Sequence, residues 1–259
     1  MTRLETDTPG GCGASRQFSI KPTGKLVMSS QTDAARNEWT AWHRAREEAL
    51  TAPSGNLALV ETRWLADDEE PAPEQERDGV LTTVIRRFDP LTGETRNGIR
   101  RWNSRSDAVA HFVSTDPYPY DPAWVLPASF VPAGPEHHVA FAHRRDNGGT
   151  RDLPVPGHIE VTVAGTAFTV HAFDDEGSLL LVFGDRTNGR QTYGGGRFLT
   201  VPWPSDSGHT VLDFNRARTP PCGFSAHFNC PLPPPENRFP FAIEAGERVP
   251  VFRDGFTVE

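Results

Sequence analysis

The sequence predicts a mainly β protein, an antiparallel β-sandwich or partly open barrel with one N-terminal amphipathic helix. Three observations support this prediction. Glycine accounts for 23 and proline for 24 of the 259 residues, a share that favours many turns. Short segments with apolar residues at every second position recur along the chain from Val80 onward. One stretch, residues 37–50, has the apolar spacing of an amphipathic helix.

The sequence of the N-terminal region predicts a flexible tail, a helix and a linker, in that order. Residues 1–36 are rich in Thr, Gly, Ser and Asp without a sustained period, which is typical of a flexible tail. Asn37 can cap the helix 37–50 because its side chain can accept from a free backbone amide. Residues 56–65 read as a strand or short buried segment, and residues 66–78 as an acidic, proline-containing linker.

Two series of strands are predicted after the linker. A turn containing Pro and Gly separates residues 80–88 from residues 95–102, as in a β-hairpin. Residues 158–163, 166–173 and 179–183 are separated by tight turns and predict a three-stranded antiparallel meander. Further predicted strands are residues 124–131, 197–201, 210–214, 241–244 and 249–252.

The negative net charge of the chain disfavours some classes of binding partner. The net charge is -8 at pH 7, so a nucleic-acid backbone or an anionic membrane surface would repel the protein. Several arginines fall within residues 86–105, but they alternate with apolar residues as on the solvent face of a hairpin. The sequence shows neither a long apolar run nor a secretory leader pattern. We therefore expect a cytoplasmic protein with no nucleic-acid and no membrane partner.

The cysteines leave three alternatives open. Cys12, Cys222 and Cys230 are too few for a disulfide-built scaffold. With His227, the last two form a C-x4-H-x2-C pattern, which suits a zinc site lacking its fourth ligand, a disulfide or facing thiol pair, or independent buried cysteines. We expect no metal and no cofactor. We also expect Cys222 and Cys230 to approach each other, because the short loop between them is bounded by prolines.

The C-terminal region carries a set of motifs that resembles a known family. These motifs are TYGGGRF at 192–198, DFNRA at 213–217, PPC at 220–222, CPLPPPENR at 230–238 and EAGE at 244–247. They resemble the bacterial family known as domain of unknown function 1684. Residues 42–65 and 120–124 look like the opening helix and the linker motif of that family. The resemblance covers most of the chain beyond residue 37 and implies no reaction, because the family has none assigned.

The resemblance also implies a division of the chain. After the tail 1–36, residues 37–116 hold the helix and a β segment that looks shortened relative to longer members. Residues 117–259 hold the C-terminal β domain with the motifs. A second departure from the family pattern is Thr219, which stands where an Asn usually precedes the Pro-Pro-Cys sequence.

The motif region predicts a polar pocket in the C-terminal domain. The glycine run permits close backbone approach and leads into Arg197, whose planar guanidinium can bind a carboxylate or phosphate bidentately. Asp213 and Asn215 share one face at a predicted strand end. The predicted ligand-binding residues are Tyr193, Gly194, Gly195, Gly196, Arg197, Asn215, Arg216 and Asn237, and the predicted acid and base residues are Asp213 and Glu236.

Two classes of function follow from this pattern. The first is a binding protein or enzyme for a small polar or anionic molecule, with the ligand held by Arg197. The second is a non-catalytic protein-interaction module with a proline-rich strap, residues 230–238. Each site residue also has a structural alternative: Arg197 could form an internal ion pair with Asp213, and Asn215 could hold a loop. The sequence does not predict the oligomeric state.

Overall fold

The computed structural model describes residues 23–66, 68–71, 75–88, 93–134, 137–144, 150–175 and 177–258. The protein is mainly β, with antiparallel sheets, one of them nearly closed into a barrel, and a long N-terminal helix, as the sequence predicts. Its helices are α1 (Thr23–Thr51) and α2 (Asp107–His111). Its strands are β1 (Leu59–Trp64), β2 (Gln75–Arg77), β3 (Val80–Phe88), β4 (Thr95–Asn103), β5 (Phe112–Ser114), β6 (Val125–Pro132), β7 (His138–Ala142), β8 (Thr150–Pro154), β9 (Gly157–Val163), β10 (Thr166–Asp175), β11 (Ser178–Phe183), β12 (Arg197–Pro202), β13 (His209–Asp213) and β14 (Val251–Phe252).

Helix α1 begins at Thr23 rather than at Asn37, so the last part of the predicted tail is helical. Residues 1–22 of that tail lie outside the described residues. The additional turns are held by local contacts: Arg36 Nη1 lies 3.2 Å from Asp33 Oδ1, and Thr40 donates to the Arg36 carbonyl at 2.8 Å. The sequence pattern missed this part because residues 31–36 are mostly exposed and an exposed helix needs no apolar stripe.

The nearly closed sheet forms the centre of the C-terminal half. Its six strands run in the order β12-β11-β10-β9-β6-β13, and the two end strands contact each other. The predicted meander is confirmed as β9, β10 and β11, with Thr166 opposite Val163 across the first turn. Burial alternates along β9, as expected for a sheet with one covered face. The core on this face includes the fully buried Ile159, Val170, Leu181, Phe183, Leu199, Leu212 and Phe214.

A second sheet packs the N-terminal strands in the order β1-β4-β3-β2. The predicted hairpin is confirmed as β3 and β4, which pair from Val80 opposite Asn103 to Phe88 opposite Thr95. The segment predicted as a linker, residues 66–78, contains β2, in which Gln75 pairs with Thr82. The acidic composition concealed this short strand because all its residues are exposed at the sheet edge.

Two further elements differ from the prediction. Strands β7 and β8 form a hairpin that was not predicted, with Phe141 opposite Arg151. Residues 241–244 are irregular rather than a strand, because the carbonyl of Ile243 accepts from an arginine side chain and not from a neighbouring strand. Within the described residues, no helix combines the length and apolar character needed to span a membrane.

Candidate functional site

Arg197, the centre of the predicted pocket, is fully buried at the start of β12. Its guanidinium donates to the carboxylate of Asp185, to the carbonyl of Ala245 and, at 2.8 Å, to the carbonyl of Ile243. The Asp185 side chain has no exposed surface either. Burial lowers the pKa of Arg197, and the charge of Asp185 opposes that shift. An internal ion pair is therefore present, but its acid is Asp185 and not Asp213.

The pairing of β11 with β12 explains why Asp185 is the partner. These strands are antiparallel, and Phe183 lies directly opposite Arg197. A residue just beyond the end of β11 therefore reaches the start of β12, and Asp185 is such a residue. Its other carboxylate oxygen accepts from the Thr187 amide at 2.6 Å, which closes the turn after β11.

Asp213 and Asn215 hold the backbone at the end of β13. Oδ1 of Asp213 accepts from the Asn215 amide at 3.1 Å and from its Nδ2 at 2.9 Å, while Oδ2 lies 3.3 Å from Arg216 Nε. Asn215 exchanges two hydrogen bonds of 2.9 Å with the backbone of Asp121. Its own carbonyl accepts from the Trp39 indole at 2.8 Å. This cluster ties β13 to α1 and to the loop before β6.

Asn237 and Glu236 lie on the proline-rich strap. Asn237 is fully buried, and its amide spans two strands by donating to the carbonyls of His171 and Val182 at 2.8 Å each. Its Oδ1 accepts from the His171 amide at 2.8 Å. Glu236 beside it is exposed to solvent. The strap therefore packs against the barrel-like sheet through Asn237 and leaves Glu236 outside.

The glycine run makes a tight passage beneath the strap. Gly196 has a φ of 90°, and a Cβ at this position would lie 2.5 Å from Pro233 Cγ. A Cβ on Gly195 would lie 2.7 Å from Cε1 of Tyr193, whereas a Cβ on Gly194 would meet nothing nearer than 3.7 Å. The amide of Gly196 donates to the carbonyl of Tyr193 at 3.2 Å. Close packing against Pro233 accounts for the glycine at 196.

The predicted site residues thus separate into distinct groups. The expectation that Arg197 is directed towards Asp213, Asn215 and Glu236 is wrong, because its two terminal nitrogens donate to Asp185 and to two carbonyl groups instead. The Asp213 group binds α1 and the loop before β6, and Asn237 binds β10 and β11. Neither of the two cavities described below is lined by Arg197, Asp213 or Asn215.

A cavity of about 330 Å³ opens beside the buried ion pair. We call it the arginine cavity; its lining residues are Gly184, Asp185, Arg186, Arg238, Phe239 and Pro240. Arg186 Nε donates to the carbonyl of Pro240 at 3.2 Å, and Arg238 Nη2 donates to the carbonyl of Pro233 at 2.9 Å. Both arginines are exposed, and within the described residues neither has an acidic partner.

Backbone hydrogen bonds join the two walls of the arginine cavity. The Gly184 amide donates to the carbonyl of Asn237 at 3.0 Å, and the Phe239 amide donates to the carbonyl of Gly184 at 2.8 Å. The Arg186 amide donates to the carbonyl of Phe241 at 3.1 Å. Arg186 and Arg238 therefore extend from two segments held firmly together. Sequence reasoning missed both residues because isolated surface arginines carry no spacing signal.

Cys222 and Cys230 form a buried pair of free thiols. The amide of Cys222 donates to Sγ of Cys230 at 3.2 Å, which confirms the predicted approach of the two residues. The hydroxyl of Tyr193 donates to the Cys222 carbonyl at 3.1 Å and lies 3.6 Å from its Sγ. Arg144 donates to that hydroxyl, and its guanidinium lies 5.3 Å from the centre of the Tyr193 ring. We call these four residues the thiol cluster.

The two thiols differ in acidity. The hydrogen bond with Cys230 lowers the pKa of Cys222 to about 7; burial acts against this shift and the Tyr193 hydroxyl supports it. The same hydrogen bond, together with burial, raises the pKa of Cys230. Burial and the charge of Cys222 raise the pKa of Tyr193. Cys222 is therefore the group in the thiol cluster that carries negative charge near neutral pH. Among the described residues, no set of three or more His, Cys, Asp or Glu side chains is placed to hold a metal ion.

A larger cavity of about 750 Å³ lies between the cysteine loop and the C-terminal residues. It is lined by Leu57, Leu59, Val60 and residues 106–108, 224–227 and 256–258, most of them apolar. Its serines already have partners: Ser106 donates to the carbonyl of Leu57 and Ser225 to that of Leu59, each at 2.7 Å. No arginine or lysine lines this cavity, so it is less suited to an anion than the arginine cavity.

Comparisons with known proteins identify the family of the chain. None of the curated proteins matches it. The solution NMR structure of the uncharacterized protein from gene locus rrnAC0354 of Haloarcula marismortui is similar, with 32% sequence identity over 49% of this chain and 72% of that chain and a TM-score of 0.41. The sequence profile of the family described as Protein of unknown function (DUF1684) matches residues 110–248, more than half of the chain. The chain therefore belongs to the DUF1684 family.

Proposed function

We propose that this protein binds a small anionic molecule in the arginine cavity. One observation carries the proposal: two guanidinium groups, those of Arg186 and Arg238, border a concave space and have no acidic partner within the described residues. Several arginines of this chain pair with a carboxylate, among them Arg63 with Glu69 and Arg216 with Glu38. Two that do not, on the walls of one cavity, favour an anion supplied from solution.

The charge balance of the cavity supports this proposal. Asp185 also lines the cavity, but its carboxylate is neutralised by Arg197 from behind. The remaining charges, those of Arg186 and Arg238, are both positive. A local positive field of this kind concentrates anions even though the net charge of the chain is -8.

The geometry of the two arginines favours a carboxylate or phosphate. Each guanidinium uses one of its nitrogens to donate to a carbonyl, that of Pro240 for Arg186 and that of Pro233 for Arg238. The bonded carbonyls restrain the side chains, while the other nitrogens keep donors for a ligand. A planar guanidinium forms paired hydrogen bonds with the oxygens of a carboxylate or phosphate. The cavity volume of about 330 Å³ suits a small ligand.

The residues first predicted as the site have a supporting role in this proposal. Arg197 prevents Asp185 from repelling an anion, and Asn237 holds the strap from which Arg238 extends. Asp213 is engaged in capping the turn at Asn215, so we assign it no acid or base role. The proposal is one of binding, and it names no reaction.

The test is a titration with inorganic phosphate and with succinate at constant ionic strength. Binding is measured by calorimetry and by the shift in thermal unfolding. Arg186→Gln and Arg238→Gln should each weaken binding by roughly tenfold or more, because each removes charge-assisted hydrogen bonds worth about 1.5 to 3 kcal/mol. Arg96→Gln is the matched control, since Arg96 is exposed on β4, far along the chain from the cavity segments.

Three outcomes are informative. Saturable binding that both cavity variants weaken and the control preserves would support the proposal. Equal weakening in all three variants would indicate a nonspecific charge effect and contradict it. Absence of a saturable response in the wild-type protein would also contradict it and would favour the non-catalytic interaction module.

A further inference from the structure

We propose that Cys222 and Cys230 form a peroxide-reactive dithiol, in which Cys222 is the attacking thiol and Cys230 resolves the product into a disulfide. The proposal concerns the thiol cluster and does not depend on anion binding in the arginine cavity. Its basis is the contact between the two cysteines and the Tyr193 hydroxyl, which lies beside Sγ of Cys222.

The fold keeps the two cysteines together. The Cys222 amide donates to Sγ of Cys230 at 3.2 Å, so the second sulfur lies against the backbone of the first residue. Between them the chain turns back through local hydrogen bonds, among them that from the Phe224 amide to the Pro221 carbonyl at 2.9 Å. A disulfide requires the two sulfurs to approach at short range, and this loop already provides that proximity.

The surroundings of the two sulfurs are different. On one side, Tyr193 places its hydroxyl 3.6 Å from Sγ of Cys222, and Arg144 donates to that hydroxyl. Beyond Cys230 lies Arg100, whose charge interacts with Cys230 and whose buried Nε has no hydrogen-bond partner. Positive charge and a hydroxyl donor both stabilise a thiolate.

These contacts agree with the acidity of the cluster. The groups that face Cys222 are the Cys230 thiol, the Tyr193 hydroxyl and the Arg144 guanidinium, and together they hold the pKa of Cys222 at about 7. About half of this thiol is then ionised at pH 7, compared with about 3% of an ordinary cysteine with a pKa near 8.5. The raised pKa of Cys230 keeps that group protonated.

The size of the reactant is limited by burial. Cys222 is 4% exposed and Cys230 is 5% exposed, so a bulky disulfide such as oxidised glutathione would meet the surrounding residues first. A small hydroperoxide can enter a gap too narrow for a peptide thiol. We therefore assign hydrogen peroxide, or another small hydroperoxide, as the oxidant class.

The reaction balances with this oxidant alone. The thiolate of Cys222 attacks one peroxide oxygen, the O–O bond breaks, and hydroxide leaves and takes up a proton to form water. The sulfenic acid on Cys222 is then attacked by the sulfur of Cys230, which loses its proton as the S–S bond forms and a second water leaves. Two thiols are oxidised and one peroxide is reduced to two water molecules.

The test uses the full chain carrying Cys12→Ser, so that only the two cysteines of the cluster remain. Stoichiometric hydrogen peroxide at pH 7 should remove two hydrogen masses and link Cys222 to Cys230, as read by peptide mass spectrometry. The rate should exceed that of a cysteine with a pKa near 8.5 by roughly threefold, because the larger thiolate fraction outweighs the lower nucleophilicity of a more acidic thiol.

Variants separate the roles of the two thiols. With Cys230→Ser, Cys222 should stop at the sulfenic acid, read by mass spectrometry as the gain of one oxygen; with Cys222→Ser, Cys230 should remain unoxidised. Tyr193→Phe should move the midpoint of the pH profile of Cys222 alkylation upward, a change that a packing defect alone would not produce. Circular dichroism confirms folding, and Cys→Ala replacements serve if a serine variant unfolds.

Three results would contradict the proposed dithiol chemistry. Formation of the disulfide only in denaturant, or preferential labelling of Cys230 in the folded protein, would overturn the proposal. Peroxide oxidation of wild-type protein no faster than that of an ordinary thiol would also overturn it.

Discussion

Replacing Asp185 by alanine should destabilise the protein more than the loss of any exposed charge. The structure makes Asp185 the acid of a fully buried ion pair, in which the Arg197 side chain is also without exposed surface. In Asp185→Ala, the guanidinium keeps the carbonyl groups of Ala245 and Ile243 but loses its counter-charge. The Thr187 amide loses its acceptor at the same time.

The expected cost is about 3 to 5 kcal/mol, the range for removing one partner of a buried salt bridge. The dominant part is the charge of Arg197 left uncompensated inside the protein. For a protein of this size, such a loss corresponds to a fall in melting temperature of roughly 6 to 20 °C. Asp185→Asn should lie between alanine and wild type, because an amide retains an acceptor oxygen but not the charge.

The control is Glu38→Ala, which breaks an exposed ion pair of 2.6 Å with Arg216. Exposed pairs contribute about 0 to 1 kcal/mol, so this variant should stay close to wild type. Urea unfolding and thermal melts of the three variants measure the differences. A free energy of unfolding for Asp185→Ala within about 1 kcal/mol of that for Glu38→Ala would refute the reasoning, because a buried uncompensated guanidinium cannot cost so little.

Two further predictions concern the glycine passage and a buried carboxyl group. Gly196→Ala should lower stability by about 1 to 3 kcal/mol in urea unfolding, because the alanine would have to adopt a φ of 90° and its Cβ would lie 2.5 Å from Pro233. Gly194→Ala should change stability little, because a Cβ at that position has space around it. Equal effects of the two substitutions would contradict the packing argument. Burial raises the pKa of Glu247 above its usual value of 4.5, against the opposing charge of Arg46. A carboxyl group with a raised folded-state pKa stabilises the fold most below its unfolded pKa, and that contribution is lost as pH rises through the folded-state pKa. The stability of wild type relative to Glu247→Gln should therefore fall as pH increases from about 4.5, and a difference that stays constant or rises with pH in stepped urea titrations would exclude this linkage.

The fold was predictable where the pattern of the chain is local. The hairpin of β3 and β4 and the meander of β9 to β11 have alternating apolar residues and turn residues at the expected places, so their pairing follows from neighbours in sequence. The hairpin of β7 and β8 was not predicted, although Asn147, Gly148 and Gly149 supply turn residues between its strands, because the strands are short and the first begins with His138 at an exposed position. The last part of residues 1–36 was predicted to be a flexible tail, although it is helical. An exposed helix carries no periodic pattern of apolar residues that would indicate it.

The candidate site was less predictable because its contacts are long-range. The order of the strands favoured Asp213 as the partner of Arg197, because β12 and β13 follow each other along the chain, whereas the pairing of β11 with β12 provides Asp185. The approach of Cys222 and Cys230 was predicted because a short loop joins them. The approach of Arg144 to Tyr193 brings together residues from the β7–β8 hairpin and the loop before β12, and no sequence pattern connects those segments.

The most direct test of anion binding in the arginine cavity is an amide NMR titration of the isotope-labelled protein with inorganic phosphate at constant ionic strength. We predict saturable shifts at the amides of Gly184, Asp185 and Arg186 and at Arg238, which line the cavity, with a single dissociation constant. Saturable shifts confined to the larger cavity near residues 224–227, or shifts that remain linear in phosphate at every residue, would contradict the proposed site.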